Sequence, residues 1–219
     1  AIERPSKEPN EINLLEVLNR GFRHEQFRPG QLEIVERVMR RQNTLALLPT
    51  GAGKSLTYQL PTLLLPGLTL VVSPLLALMA DQMDSLPPSL PGGALRSDMN
   101  RADMWDTLTR LRNGEIKVLF VSPERLLNDN FVGDLQNVPG GVSLAVIDEA
   151  HCVSEWSHNF RPAYHRLGRI LADRVRAKTT LALTATATKK TELSLIKQLG
   201  IAQEGVLRNV RVRDNLILS

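Results

Sequence analysis

The sequence predicts an α/β protein with a doubly wound parallel sheet that helices cover on both faces. Its 219 residues are 42% hydrophobic, which is enough to bury the core of one large domain. Short apolar runs alternate with helical or turn-rich segments, and strands without polar alternation are typical of parallel sheets buried on both faces. Five runs are predicted to be strands: TLALL at 44–48, LTLVVS at 68–73, KVLFVS at 117–122, LAVIDEA at 144–150 and TLALTAT at 180–186.

Two helices are predicted before the first strand. In the segment EINLLEVLNRGF, the apolar residues Ile12, Leu15 and Leu18 have helical spacing, and Gly21 is a stop signal. The segment GQLEIVERVMRRQ at 30–42 repeats this pattern. The chain therefore enters the sheet from a helical N-terminal region.

An uncharged stretch from Ser55 to Ala80 is long enough to suggest a membrane span. Pro61, Pro66 and Pro74 interrupt it, and proline breaks a helix interior or marks a turn. The stretch is therefore predicted to form a helix, a turn, a strand and a second helix in the protein core. The segment PPSLPGG at 87–93 is predicted to be a surface loop.

The charge and cysteine content limit the possible functions. The net charge of +4 permits a polyanionic partner without requiring one. Cys152 is the single cysteine, which excludes an internal disulfide and a Cys-rich zinc site, and no zinc is expected. One stretch is strongly basic, although a solvated helix face is the simpler interpretation of a charge run. This stretch contains Arg161, Arg166, Arg169, Arg174, Arg176 and Lys178 against the single acid Asp173.

The glycine-rich segment LPTGAGKS at 48–55 lies between a predicted strand and a predicted helix. Backbone N–H groups in such a loop, together with the helix N-terminus, favour phosphate. Lys54 would reach the β- and γ-phosphates, and the Ser55 hydroxyl would bind Mg²⁺. The full motif has Gly where this chain has Leu48, and a glycine turn that opens an ordinary helix is the alternative. The predicted phosphate-binding residues are Thr50, Gly51, Ala52, Gly53, Lys54 and Ser55.

The segment DEAH at 148–151 ends another predicted strand. A carboxylate in this position can hold Mg²⁺ through its water shell, and we assign this role to Asp148. Glu149 is placed to orient or deprotonate an attacking water. The alternative is an acidic helix N-terminus that the helix dipole stabilises. The preceding apolar strand and the phosphate-binding loop favour nucleotide chemistry.

Aromatic residues follow this segment at spacings of i, i+4 and i+8. Such spacing is typical of one face of a buried helix, but Pro162 opposes a continuous helix. Rings beside cations suit single-stranded nucleic acid, because bases stack on the rings and arginine binds phosphate. Ser73 and Ser122 each precede a proline at a strand end, where their hydroxyls would either bind DNA phosphates or cap helices. The predicted DNA-binding residues are Ser73, Ser122, Trp156, His158, Phe160 and Arg161.

The order of these motifs resembles that of the RecQ family of superfamily 2 DNA helicases, from Gly21 to Leu218. DEAHC joined to an aromatic segment separates this family from other helicases. WSHNF, where most members have WGHDF, resembles the type 4 branch. The matching blocks are FRPGQ at 27–31, LPTGAGKS, VVSPLLALMADQ at 71–82, FVSPERLL at 120–127, DEAHCVSEWSHNFRP and LTATAT at 183–188.

The resemblance implies a RecA-like domain that binds ATP and Mg²⁺. It implies that Gln31 recognises the adenine edge and that Arg28 packs on the base, with His24 where an aromatic residue is usual. Lys54 and Ser55 match the triphosphate and Mg²⁺ residues, while Asp148 and Glu149 match the metal carboxylate and the general base. His151 matches the residue that links the nucleotide site to the aromatic segment. Thr184 and Thr186 match the motif that communicates between the ATP and DNA sites.

The resemblance also divides the chain. Residues 1–25 are expected to form a helical extension with the start of the adenine-recognition motif, and residues 26–207 a RecA-like ATP-binding domain. Residues 208–219 are expected to be a linker toward a second RecA-like domain that this chain lacks. That domain supplies an arginine finger, so the chain alone is expected to bind ATP, hydrolyse it poorly and leave duplex DNA wound.

The leading functional prediction is the motor domain of a 3′–5′ DNA helicase acting in repair, replication or recombination. Its expected partners are single-stranded and forked duplex DNA and the second RecA-like domain, with no membrane partner. The expected location is intracellular: the nucleus in a eukaryote, the cytoplasm or nucleoid in a bacterium. One alternative is a nucleotide-gated DNA-binding module without turnover. A P-loop kinase for a small molecule is another, but it leaves DEAHCVSEWSHNF and LTATAT unexplained.

Overall fold

The computed structural model describes residues 12–74, 76–96, 98–153 and 166–208, without the side chains of 76–78. This part of the chain contains seven strands and eight α-helices. The strands are β1 (Thr44–Leu47), β2 (Leu68–Val72), β3 (Gly92–Leu95), β4 (Val118–Val121), β5 (Val142–Ile147), β6 (Thr180–Thr184) and β7 (Val206–Arg208). The helices are α1 (Leu14–Phe22), α2 (Gln31–Met39), α3 (Leu56–Leu64), α4 (Leu76–Asp84), α5 (Arg101–Arg112), α6 (Asp129–Gln136), α7 (Leu167–Arg169) and α8 (Lys189–Leu199).

The strands form one sheet in the order β3-β4-β2-β5-β6-β1-β7, and each neighbouring pair is parallel. All five predicted strands are present. Short helical segments complete the connections, including a π-helix at Ile170–Arg174 that continues α7. The predicted doubly wound α/β fold is therefore confirmed.

The sheet separates two hydrophobic cores. Along β5, Leu144 and Val146 belong to one core, whereas Ala145 and Ile147 belong to the other. Helices α1 to α4 contribute to the first core and α5 to α8 to the second. Both faces of the strand are buried, which explains why its sequence is apolar without alternation.

The prediction of a loop at 87–93 is partly wrong, because Gly92 and Gly93 begin strand β3. A Cβ at Gly92 would lie 2.5 Å from Leu86 Cδ1, and one at Gly93 would lie 2.6 Å from Ile116 Cδ1. These glycines therefore allow close packing and do not mark a turn.

Three other local predictions are also corrected. Pro61 lies inside α3, which continues to Leu64 because the flanking residues are buried in the core. Helix α1 includes Gly21 and ends at Phe22, followed by Arg23 in the left-handed region. Of the residues predicted to form the apolar face of this helix, Leu18 is fully buried but Leu15 is exposed.

No helix among the described residues is long and apolar enough to span a membrane.

Candidate functional site

The carboxyl ends of five adjacent strands form one edge of the sheet. In space these strands are β4, β2, β5, β6 and β1, and the predicted nucleotide residues follow three of them. The edge brings Lys54, Asp148 and Thr184 together although they are far apart in sequence. The convergence predicted from the apolar runs is therefore confirmed, at the position where open α/β sheets bind ligands.

The segment between β1 and α3 has the backbone shape of a phosphate-binding loop. Gly51 and Gly53 have φ values of 79° and 76°, a region that favours glycine. A Cβ at Gly53 would lie 2.6 Å from Gln31 Nε2. Ser55 precedes α3 and makes no side-chain capping bond, so its hydroxyl is not used to cap the helix.

Gln31 fixes this loop from the start of α2. Its side chain accepts a hydrogen bond from Arg28 N at 2.8 Å and donates to the carbonyl oxygens of Ala52 at 3.1 Å and Gly53 at 2.9 Å. Arg28 donates to the carbonyl oxygen of Gly51. Both residues thus contact the loop, and their contact with adenine stays a prediction.

A pocket of about 830 Å³ lies beside the loop. Its lining includes Phe22, His24, Gly53 and Gln59. The structure therefore brings His24 next to the phosphate-binding loop, as the nucleotide hypothesis requires. Its role in base stacking stays a prediction.

Asp148 follows β5 and is 6% exposed. Its Oδ1 accepts from the N–H of Glu149 at 3.0 Å, and its Oδ2 accepts from Gln82 Nε2 at 3.0 Å. Burial raises the pKa of Tyr58 above its ordinary value, and the negative charge of Asp148 also raises it, to a smaller extent. Gln82 was not predicted as a site residue, although it lies in the VVSPLLALMADQ block.

Glu149 has a φ of 48°, a strained conformation for a residue with a side chain. This conformation places its carboxylate between two cationic or polar groups. Lys54 Nζ lies 3.6 Å from Oε1, and His151 Nδ1 lies 3.2 Å from Oε2. The predicted general base therefore contacts the predicted triphosphate residue directly.

His151 extends these contacts to the end of β6. Its Nδ1 lies 3.1 Å from the Thr184 hydroxyl, and that hydroxyl donates to the carbonyl oxygen of Thr186 at 3.0 Å. The same Nδ1 of His151 therefore lies within hydrogen-bond distance of both the Glu149 carboxylate and the Thr184 hydroxyl.

The predicted DNA-binding residues are less completely described. Ser73 is fully buried and its Oγ has no hydrogen-bond partner, so the hydroxyl is not presented to a phosphate in this conformation. Ser122 precedes the 3₁₀ helix Pro123–Leu127 and makes no side-chain capping bond. The remaining predicted residues, Trp156, His158, Phe160 and Arg161, lie outside the described residues. All six assignments stay predictions.

The residues expected to hold Mg²⁺ are Ser55, which lies between β1 and α3, and Asp148, which follows β5. The described residues contain no cluster of three or more His, Cys, Asp or Glu side chains that could hold a metal ion. The predicted site does not need such a cluster, because Mg²⁺ keeps several waters and uses few protein ligands together with substrate phosphates. The buried carboxylate of Asp148 and the hydroxyl of Ser55, which does not cap α3, fit this chemistry.

These features define a P-loop nucleotide-binding domain with a RecA-like sheet. The model of the DEAD/DEAH box helicase family matches residues 28–194, and the chain belongs to this family. This membership overturns the small-molecule kinase alternative.

Curated relatives confirm the resemblance to the RecQ family. The chain is 46% identical to "ATP-dependent DNA helicase Q-like 5" of Arabidopsis thaliana over 100% of its own length and 24% of that protein. It is 45% identical to "ATP-dependent DNA helicase Q4" of Homo sapiens over 90% of its length and 17% of that protein, consistent with the type 4 branch. It is 39% identical to "ATP-dependent DNA helicase RecQ" of Bacillus subtilis over 91% of its own length and 34% of that protein.

Two solved structures share the fold. The helicase domain of Hef from Pyrococcus furiosus has a TM-score of 0.64 and 26% identity, covering 84% of this chain and 38% of that one. A hypothetical ATP-dependent RNA helicase from Sulfolobus tokodaii has a TM-score of 0.68 and 21% identity, covering 90% and 57%. The chain spans at most about a third of the length of the three relatives above.

Proposed function

We propose that this chain is the ATP-binding motor domain of a RecQ-type 3′–5′ DNA helicase. The observation that carries the proposal is the unbroken set of contacts from Lys54 through Glu149, His151 and Thr184 to Thr186. It connects the phosphate-binding loop to two other strand ends. A change at the phosphates can therefore be transmitted to the segments that follow β5 and β6.

In this proposal the nucleotide lies along the loop between β1 and α3. The loop N–H groups and Lys54 bind the phosphates, and the pocket beside His24 receives the base. Asp148 and Ser55 would hold Mg²⁺, which would neutralise phosphate charge. Glu149 accepts a proton from the attacking water. In the described conformation Lys54 contacts Glu149, and phosphates would compete with the carboxylate for this cation.

DNA contact is assigned to the aromatic segment, with Trp156 and Phe160 as stacking residues and His158 and Arg161 beside them. Ser122 would contact phosphates at the same strand edge, and the buried hydroxyl of Ser73 would have to become exposed to do so. Unwinding of forked DNA would be carried out by the whole protein, which includes the second RecA-like domain. This activity would take place in the nucleus or nucleoid, during repair, replication or recombination. The isolated chain would bind ATP and hydrolyse it slowly.

The test is ATP affinity and turnover, each measured with and without single-stranded DNA. Glu149→Gln should reduce turnover by about 10²–10⁴-fold and keep ATP binding. Thr184→Val removes the hydroxyl that joins His151 to Thr186, so it should abolish the effect of DNA on ATP turnover or affinity. Thr180→Val, at the other end of β6, is the matched control and should behave as the unmodified chain.

The outcomes separate the possible functions. ATP-dependent DNA binding without any turnover would favour a nucleotide-gated DNA-binding module. Equal turnover by the Glu149→Gln variant would contradict the assigned base. An unaltered DNA response in Thr184→Val would contradict the proposed coupling.

A further inference from the structure

A groove of about 1040 Å³ runs along α8 on the flank of the domain. Its walls are α8 and the segment formed by α7 and the π-helix Ile170–Arg174. The walls touch at Gly168, where a Cβ would lie only 2.0 Å from the carbonyl oxygen of Gln198. The groove extends to Asn43 before β1 and shares no lining residue with the pocket beside the phosphate-binding loop.

One face of α8 lines the groove while the other packs on the sheet. The buried face includes Glu192 and Leu195. The residues facing the groove recur at i, i+3, i+4, i+7 and i+8, as one face of a helix requires. They are Lys190, Leu193, Ser194, Lys197 and Gln198.

The groove is strongly cationic. Arg166 and Arg169 contribute from one wall and Lys190 and Lys197 from the other, against the single carboxylate of Asp173. All four cations are exposed.

The pairing of cations differs between the groove and its surroundings. Outside the groove, on the same elements, Lys189 pairs with Glu192 and Arg174 pairs with Asp129. Arg169 and Lys197 make no ion pair with any described residue. Arg169 and Lys197, one on each wall of the groove, therefore carry charge that no carboxylate among the described residues neutralises.

We propose that this α7–α8 groove binds the sugar–phosphate backbone of a DNA strand that continues from the aromatic segment. The inference rests on the proposed function. Arg166 is the first described residue after 154–165, which contain the predicted DNA-stacking residues. The first described residue after that segment therefore lines the groove.

The dimensions and chemistry of the groove suit a nucleic-acid backbone. Lys190 and Lys197 are seven residues apart, about 10.5 Å along a helix, so both can contact phosphates of one strand. Leu193 is 52% exposed between them and offers an apolar surface for sugars. The chain's own residues 209–219 carry Arg211 and Arg213, so their charge does not suit the groove.

The test compares DNA binding by the Arg169→Gln/Lys197→Gln double variant and an equally charged control, Arg40→Gln/Arg101→Gln. Binding is measured over a salt series with single-stranded oligonucleotides of about 6 and about 16 nucleotides. For the longer strand, the slope of log K against log salt should become shallower by about 0.7 for each cation removed. The shorter strand, held by the aromatic segment, should bind with an unchanged slope, and the control should match the unmodified chain.

ATP affinity shows that each variant is folded. An unchanged slope for the longer strand would overturn the groove proposal and leave the proposed function standing. Absence of DNA binding by the unmodified chain would overturn both. If a polyglutamate peptide bound in a groove-dependent way and DNA did not, the groove would be a site for an acidic protein and the DNA assignment would be wrong.

Discussion

At the scale of single residues, the site depends on how Asp148 is oriented. One of its carboxylate oxygens accepts from the adjacent backbone and the other from Gln82, whose Oε1 is buried without a partner. Groups that orient a metal ligand typically change metal affinity by about 10–100-fold when removed. Gln82 is therefore a positioning residue for the proposed Mg²⁺ site.

Gln82→Leu removes the donor and keeps a similar side-chain volume. We expect the Mg²⁺ concentration for half-maximal ATP binding to rise about 10–100-fold, with little change in ATP binding without Mg²⁺. Titration of a fluorescent ATP analogue with Mg²⁺ measures this. Gln136→Leu, whose amide contacts Arg174 away from the site, is the control. An unchanged Mg²⁺ requirement would show that Gln82 has no positioning role.

At this scale the sequence predicts which residue types form the site, but it does not predict which of their side chains contact each other. Lys54, Asp148 and Glu149 were predicted because local motifs specify their chemistry. The contact between His151 and Thr184 joins residues 33 positions apart. It depends on β5 and β6 being neighbours, which neither motif encodes.

At the scale of elements, glycine has opposite effects in two helices. In α6, a Cβ at Gly133 would meet nothing within 4 Å, whereas in α7 a Cβ at Gly168 would meet the backbone of Gln198. Glycine costs a helix about 0.5–1 kcal/mol relative to alanine when no contact requires it. Gly168 is the exception, because it allows α7 to touch α8.

Gly133→Ala should stabilise the chain by about 0.5–1 kcal/mol, and Gly168→Ala should destabilise it by about 1–3 kcal/mol through forced overpacking. Urea unfolding measures both changes in the free energy of unfolding. If the two variants had equal stability, the close approach of α7 and α8 would not be a constraint.

The five predicted strands were recognised because each is buried on both faces. Strand β3 lies at the edge of the sheet and begins with two glycines, so its sequence was interpreted as a loop. Strand β7 lies at the other edge and has three residues, too few for a clear pattern. Apolar patterning thus predicts central strands better than edge strands.

At the scale of the whole molecule, an ion pair with a buried carboxylate attaches the edge strand β7 to α8. Glu192 is 3% exposed and accepts from Lys189 Nζ at 3.1 Å and from Arg208 Nε at 3.1 Å. Burial by itself would raise the pKa of Glu192, but the hydrogen bonds from Arg208 and Lys189 outweigh it and hold the pKa below its ordinary value. The charged form is therefore favoured in the folded state.

A lowered pKa predicts that stability is lost on acidification. The contribution of Glu192 is complete above its ordinary pKa of 4.5 and disappears as the pH falls through the lower folded value. Glu192→Gln should reduce stability at pH 7 and flatten the stability profile below pH 4.5. Urea unfolding over a pH series measures this, with exposed Glu204→Gln as the control. Equal profiles for both variants would contradict the role of the ion pair.

The candidate nucleotide site can be predicted from the chain alone, because its chemistry is local: residues 49–55 form one loop and residues 148–151 follow one strand end. The tertiary structure decides what these groups contact. It places Gln31 on the loop carbonyls, Gln82 on Asp148 and His151 on Thr184, and it assembles the cationic groove from α7 and α8. Such contacts follow from strand order and helix packing, which depend on the whole chain and not on any single motif.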